Sequence, residues 1–133
     1  MNLNIQLVRQ DDYIKTTPTG ELDMTSTKEL LRTLAAAGST GDDKPMLVDI
    51  RKTSSVLKKT DVFELASSLI EYGKTFRRKT AILAREDDSF DRANFFELVA
   101  RNRGYNVNAF TSFEEAILWL ADIKDIEVNL DSQ

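Results

Sequence analysis

Three short apolar runs set what this chain can fold into. Met46-Leu47-Val48-Asp49-Ile50, Thr80-Ala81-Ile82-Leu83-Ala84 and the segment around Val107 and Ala109 are each strand-sized and too short for a helix. The first two are apolar on both sides apart from Asp49, which suits central strands covered on both faces. In the third, Val107 and Ala109 alternate with Asn106 and Asn108, which suits an edge. A stretch with helical spacing follows each run. Val62, Phe63, Ala66, Leu69 and Ile70 recur after a cap at Thr60 or Asp61, and Gly73 stops that helix. Phe95, Phe96 and Val99 follow a cap at Asp88 or Ser89, with Gly104 as the stop. Phe113, Ala116, Ile117 and Leu120 follow the capping-box pair Ser112 and Glu115.

Upstream, Leu3, Ile5 and Leu7 alternate with Asn4, Gln6 and Val8, the period of a half-buried strand. Asp11-Asp12 marks a turn, and Tyr13 to Thr17 reads as a second strand antiparallel to the first. Pro18 to Gly20 should break or bend it. Ser26 and Glu29 have capping-box spacing ahead of a helix with Leu30, Leu31, Leu34 and Ala37 on one face and Gly38 at its end. The alternation predicts an α/β fold: a five-stranded mixed, mostly parallel sheet with four helices. Residues 1–122 read as one domain of ordinary size and 123–133 as a C-terminal tail, with weak strand character at Ile126-Glu127-Val128.

Composition narrows the chemistry. The chain has 133 residues with no cysteine and no histidine, which removes disulfides, thiolate metal sites and the commonest general base and metal ligand. There is no Gly-rich phosphate loop. No signal-peptide pattern opens the sequence and no apolar run reaches membrane-spanning length, so a cytoplasmic protein is expected. No cofactor and no metal site is expected. The net charge of −4 argues against nucleic-acid binding. The distribution is uneven: between Arg51 and Lys79 eight basic residues oppose three acidic ones, a net +5 that leaves −9 for the remainder.

In an open parallel sheet, ligands sit beyond the carboxyl ends of the strands. That end collects Asp49, the loop with Arg51, Lys52, Ser54, Ser55 and Lys58, the helix start at Thr60, and the acidic loop with Glu86, Asp87 and Asp88. These form the candidate partner- or ligand-binding site. Two readings of the basic and acidic loops stand side by side: salt bridging across the surface, or a polar cleft in which the Thr60 helix start offers N–H groups to an anion. Arg77, Arg78 and Lys79 fall at the opposite end, where they solubilise the far end or complement a helix C-terminus. A phosphoryl-accepting receiver domain is disfavoured, because no acidic pair ends the first strand. Glu86, Asp87 and Asp88 leave a carboxylate- or metal-dependent enzyme as a lesser alternative. Phe95-Phe96 and Trp119-Leu120 read as core.

The opening hairpin and helix, the central strand ending in Asp49, and the closing run Val107-Asn108-Ala109-Phe110-Thr111-Ser112-Phe113-Glu114-Glu115-Ala116-Ile117-Leu118-Trp119-Leu120 together resemble the STAS-like fold of the SpoIIAA-like group of small bacterial proteins. The resemblance spans Leu3 to Ala121. It implies a non-enzymatic regulatory or binding module with a protein partner or a small, anionic ligand. In STAS-type anti-anti-sigma factors a serine of an Asp-Ser-Ser-Gly motif at the second helix start is phosphorylated. Here that place holds Lys58-Lys59-Thr60-Asp61-Val62, without the motif, so Thr60 is the phosphorylation candidate and Ser54 and Ser55 lie earlier. If right-handed crossovers put every helix on one sheet face, a homodimer or the tail would have to cover the other.

Overall fold

The computed structural model describes residues 3–38 and 44–121. The expected tail at 123–133 lies outside the described residues. Strands β1 (Asn4–Arg9), β2 (Ile14–Leu22), β3 (Met46–Asp49), β4 (Thr53–Ser55), β5 (Thr80–Leu83) and β6 (Val107–Phe110) alternate with helices α1 (Met24–Gly38), α2 (Lys59–Ser67), α3 (Asp88–Asn102) and α4 (Phe113–Leu120). Two 3-10 turns, Ser68–Tyr72 and Thr75–Arg77, lead from α2 to β5. The sheet order is β1-β2-β3-β5-β6, with β1 antiparallel to β2 and the remaining neighbours parallel. The five expected strands and four expected helices are all present, and the alternating strand at Val107 is indeed an edge.

Several boundaries move, each for a local reason. The second strand does not stop at Thr17 but runs through Pro18 to Leu22. Pro18 faces Ile5 of β1. Gln10 donates to the Tyr13 carbonyl at the hairpin end, and strict alternation from there makes Pro18 a position whose nitrogen points away from β1. Its missing N–H therefore costs that pairing nothing. Gly20, at a φ of 125°, lies where β2 leaves β3 and takes up the short strand β4, pairing Gly20 with Thr53 and Leu22 with Ser55; a side chain there would be strained. The first helix starts at Met24, two residues before Ser26. Asp23 is its cap: the carboxylate accepts the Ser26 N–H at 2.8 Å, and Ser26 Oγ accepts the Asp23 N–H at 2.9 Å.

The strand side chains split cleanly between two faces. Ile14, Met46, Val48 and Val107 join Leu30, Leu31, Leu34, Leu65, Leu69 and Phe76 in the main core beneath α1 and α2. Leu47, Ala81 and Leu83 point the other way, onto Ala116 and Leu120 of α4. The helices therefore do not share one face: α4 covers β3, β5 and β6 from behind. The handedness rule governs connections that return to a parallel strand, and no described strand follows α4. The cover assigned to a second copy or to the tail is supplied over that part of the sheet by the last helix.

On α2 the buried face is Val62, Leu65 and Ala66, continued by Leu69. Phe63 and Ile70, expected inside, are 47% and 73% exposed. The stripe is rotated because α2 leans on α3 as well as on the sheet. On α3 the inward residues are Ala93, Val99 and Ala100, with Phe96 half-buried against the main core and Phe95 at the α2–α3 groove. Trp119 is half-buried on the α4 face, 5.7 Å from the Phe110 ring.

Candidate functional site

Two arginines fix the carboxyl ends of β3 and β5: Arg51 braces the turn after β3, and Arg85 ties that turn to the end of β5. Asp49, 5% exposed, ends β3 on the α4 face. Arg51 meets it with a fork: Nε to Oδ1 at 2.9 Å, Nη2 to Oδ2 at 2.9 Å, and its own N–H to Oδ1 at 3.1 Å. Burial pushes the Asp49 carboxyl up, but the Arg51 side-chain and backbone bonds and the charges of Arg51 and Lys15 outweigh it, so the group ends below its ordinary value. The Asp49 bonds in turn raise Arg51. Asp49 is thus a carboxylate, ionised at neutral pH, that braces the turn after β3.

Arg85, at the end of β5, is the second clamp. Its Nη1 donates to the carbonyls of Arg51 at 2.6 Å and Thr53 at 2.7 Å, while Nε donates to Asp87 Oδ2 at 3.0 Å. Asp87 also caps α3, accepting the Ser89 N–H at 2.7 Å. The Ser89 bond first and Arg85 second hold its carboxyl below the ordinary range. Cap and helix start lie one residue earlier than the sequence suggests, because Asp87 bonds Ser89 across the first turn. The basic and acidic loops are therefore joined through Arg85 and backbone carbonyls, while Arg51 pairs within its own loop. Sequence reasoning missed Arg85, whose long-range acceptors are main-chain carbonyls and leave no side-chain signature.

The remaining candidates face outward. Arg51, Lys52 and Ser54 share a shallow depression with Thr19, Glu21 and Arg85. Glu86 and Asp87 line a separate one with Asp88, Phe90, Asp91 and Thr111. No group of three or more acidic residues is arranged to hold a metal ion among the described residues. Ser55 Oγ accepts the Leu57 N–H at 3.1 Å, leading the chain into α2. Lys58 is the cap residue, and its N–H is taken by Asp61 Oδ2 at 2.9 Å. Thr60 is exposed in the first turn. Beside it, a groove of about 460 Å³ opens between α2 and α3, lined by Leu57, Val62, Phe95 and Leu98 and by charges of both signs, Lys59 and Arg92 with Asp88 and Asp91. Lys59 Nζ stands 4.9 Å above the Phe95 ring. Phe63 and Leu98, 47% and 57% exposed, extend this surface, and Val56 is 57% exposed.

A central mixed sheet with three helices on one face, a closing helix on the other and its polar loops at the strand ends defines a STAS-like, SpoIIAA-like fold. Two of the solved structures that share it illustrate the likeness. One is an uncharacterised protein of the DUF3478 family with a SpoIIAA-like fold from Shewanella loihica PV-4, 17% identical, TM-score 0.57, covering 90% of this chain and 94% of that one. The other is an anti-sigma factor antagonist from Mycobacterium paratuberculosis, 16% identical, TM-score 0.61, covering 90% of this chain and 95% of that one. At such identities the likeness is one of fold. No family model and no curated protein matches the sequence. No helix among the described residues is long and apolar enough to cross a membrane.

Proposed function

We propose that the chain is a non-enzymatic STAS-type regulatory module that docks a protein partner on the surface formed by residues 51–60 and the adjoining α2–α3 groove. One observation carries this reading. The charged groups best placed for chemistry, Asp49, Arg51, Arg85 and Asp87, are bonded to each other, to Ser89 or to main-chain carbonyls. They build a scaffold. The side chains of Lys52 and Lys58 have no partner among the described residues, and beside them Val56, Phe63 and Leu98 stay exposed. An apolar groove carrying charges of both signs, next to the outward Lys52 and Lys58 of the 51–60 stretch, suits a segment with one or two apolar anchors and an acidic flank. The resemblance to an anti-sigma factor antagonist supports a protein partner over a small ligand.

The test is affinity capture with cross-linking and mass spectrometry, using the full chain and a Lys52→Glu, Lys58→Glu, Lys59→Glu variant. The expected result is a partner whose cross-links fall within 51–63 and whose binding drops at least tenfold in the variant, roughly the loss of one well-placed charge contact. A partner bound equally by both proteins overturns the site. A second reading makes Thr60 a phosphorylated switch. Its support is the exposure of Thr60 in the first turn of α2, directly after Lys58 and Lys59, where a phosphate meets N–H groups and cations. Mass spectrometry after incubation with the cognate kinase should then find phosphate on Thr60, and its loss in Thr60→Ala; a clean spectrum removes this reading.

A further inference from the structure

The two edges of the sheet are finished differently. In β6 the carbonyls of Asn106 and Phe110 accept from Thr80 and Ala84, so Val107 and Ala109 direct their main-chain groups outward. Both are met by α3: Glu97 Oε1 accepts the Ala109 N–H at 2.7 Å, and Arg101 Nη1 donates to the Val107 carbonyl at 3.3 Å. A carboxylate and a guanidinium thus take one outward N–H and one outward C=O of this edge and set charges along it.

At β1 the alternation from the Gln10–Tyr13 bond makes Asn4, Gln6 and Val8 the residues bonded to β2. Ile5 and Leu7 point their N–H and C=O groups away from the sheet. None of these four groups has a partner among the described residues. The usual protections against edge pairing are missing as well. No charge or proline occurs between Leu3 and Val8. The register with β2 runs unbroken from Asn4–Thr19 to Arg9–Ile14, without a bulge. The side chains of Ile5 and Leu7 are only half-buried against the core, and Val8 is 42% exposed.

We propose that β1 pairs antiparallel with β1 of a second copy about a two-fold axis through Gln6, continuing one sheet through both chains. The strand is self-complementary in this register. Ile5 faces the partner copy's Leu7 on the core side, and Asn4 faces its Val8 on the other. Each Ile5–Leu7 pair exchanges two main-chain hydrogen bonds, using all four outward groups. Gln6 meets its own copy across the axis at a non-hydrogen-bonded position, where side chains come closest. A second copy fits better than a foreign strand, because this register sets Ile5 against Leu7 on the core side and brings no like charges face to face between Leu3 and Val8.

Light scattering and sedimentation on the full chain test this, with variants at Gln6, whose exposed side chain leaves the core untouched. The wild-type chain is expected to dimerise. Gln6→Lys sets two ammonium groups opposite each other and should weaken the dimer about fivefold or more. An equimolar mixture of the Gln6→Lys and Gln6→Glu variants should restore it as a heterodimer. Because the chain has no cysteine, Gln6→Cys supplies a single thiol that should form an intermolecular disulfide on mild oxidation, while Val8→Cys, displaced from the axis, should not. A wild-type chain that stays monomeric at millimolar concentration overturns the proposal. So does a dimer that ignores Gln6→Lys or leaves the Gln6→Cys thiol unlinked.

Discussion

The basic segment between Arg51 and Lys79 does different work at the two ends of the sheet. At the amino end its cations are spent on helix C-termini. Arg78 donates to the Gly38 carbonyl at 2.8 Å, closing α1, and to the Lys44 carbonyl at 3.0 Å, while Lys79 donates to the Trp119 carbonyl at 2.8 Å, closing α4, and lies 5.1 Å from the Trp119 ring. Arg9, from another strand, reaches the Ala37 carbonyl. These contacts satisfy carbonyls that a helix leaves open and place positive charge where the dipole is negative. At the carboxyl end Arg51 is bound into the fold, Lys59 lies over the Phe95 ring, and Lys52 and Lys58 project from the fold. One cluster in the sequence is thus a fastening at one end and a surface at the other, and charge counts alone do not separate the two.

Substitutions should separate them. The largest stability loss belongs to Arg78→Ala, which strands two carbonyls at once; it should cost about 2–4 kcal/mol, read from urea unfolding. A cost below about 0.5 kcal/mol would remove the distinction between the two ends. Arg51→Ala leaves the buried Asp49 carboxylate without its fork and should cost about 1–3 kcal/mol.

Acid should act through the same pair. Because the folded Asp49 carboxyl lies below its ordinary value of about 3.9, its contribution is complete above that pH and fades as pH falls through the lower folded value. Asp49→Asn should therefore flatten the acid limb of a stability–pH profile. It will not abolish it, since Asp23 and Asp87 are also held low by capping bonds. An acid limb unchanged by Asp49→Asn would mean that the fork contributes nothing. The smallest stability effect, within about 0.5 kcal/mol, is expected for Lys52→Ala with Lys58→Ala. A marked drop in melting temperature there would make the outward lysines structural.

What the sequence disclosed followed physical rules local to the chain. Ser112 accepts the Glu115 N–H as its spacing implied, and the runs at Met46 and Thr80 are neighbouring inner strands. Tertiary decisions were hidden. β4 is Thr53-Ser54-Ser55, with no apolar residue, and exists only because β2 continues past β3 to meet it. The outward turn of Phe63 and Ile70 depends on where α3 lies, and both residues fit a helical period as well as Leu65 does. Nothing in the order of elements assigned α4 to the far face. Within the site, Asp49 and Arg51 stood out by type and position, but their mutual pairing needed coordinates. Arg85 stayed invisible because the bonds that reach across to the other loop go to the backbone.

Arg85 has a kinetic consequence. By gripping the carbonyls of Arg51 and Thr53 together with Asp87, it makes two separate chain reversals into one solid piece. If a partner docks at that surface, as proposed, it meets a shape already set, with little ordering left to do. Encounter should then be limited by diffusion and charge rather than by a conformational step, so the association rate should fall steeply as salt is added while the dissociation rate hardly changes.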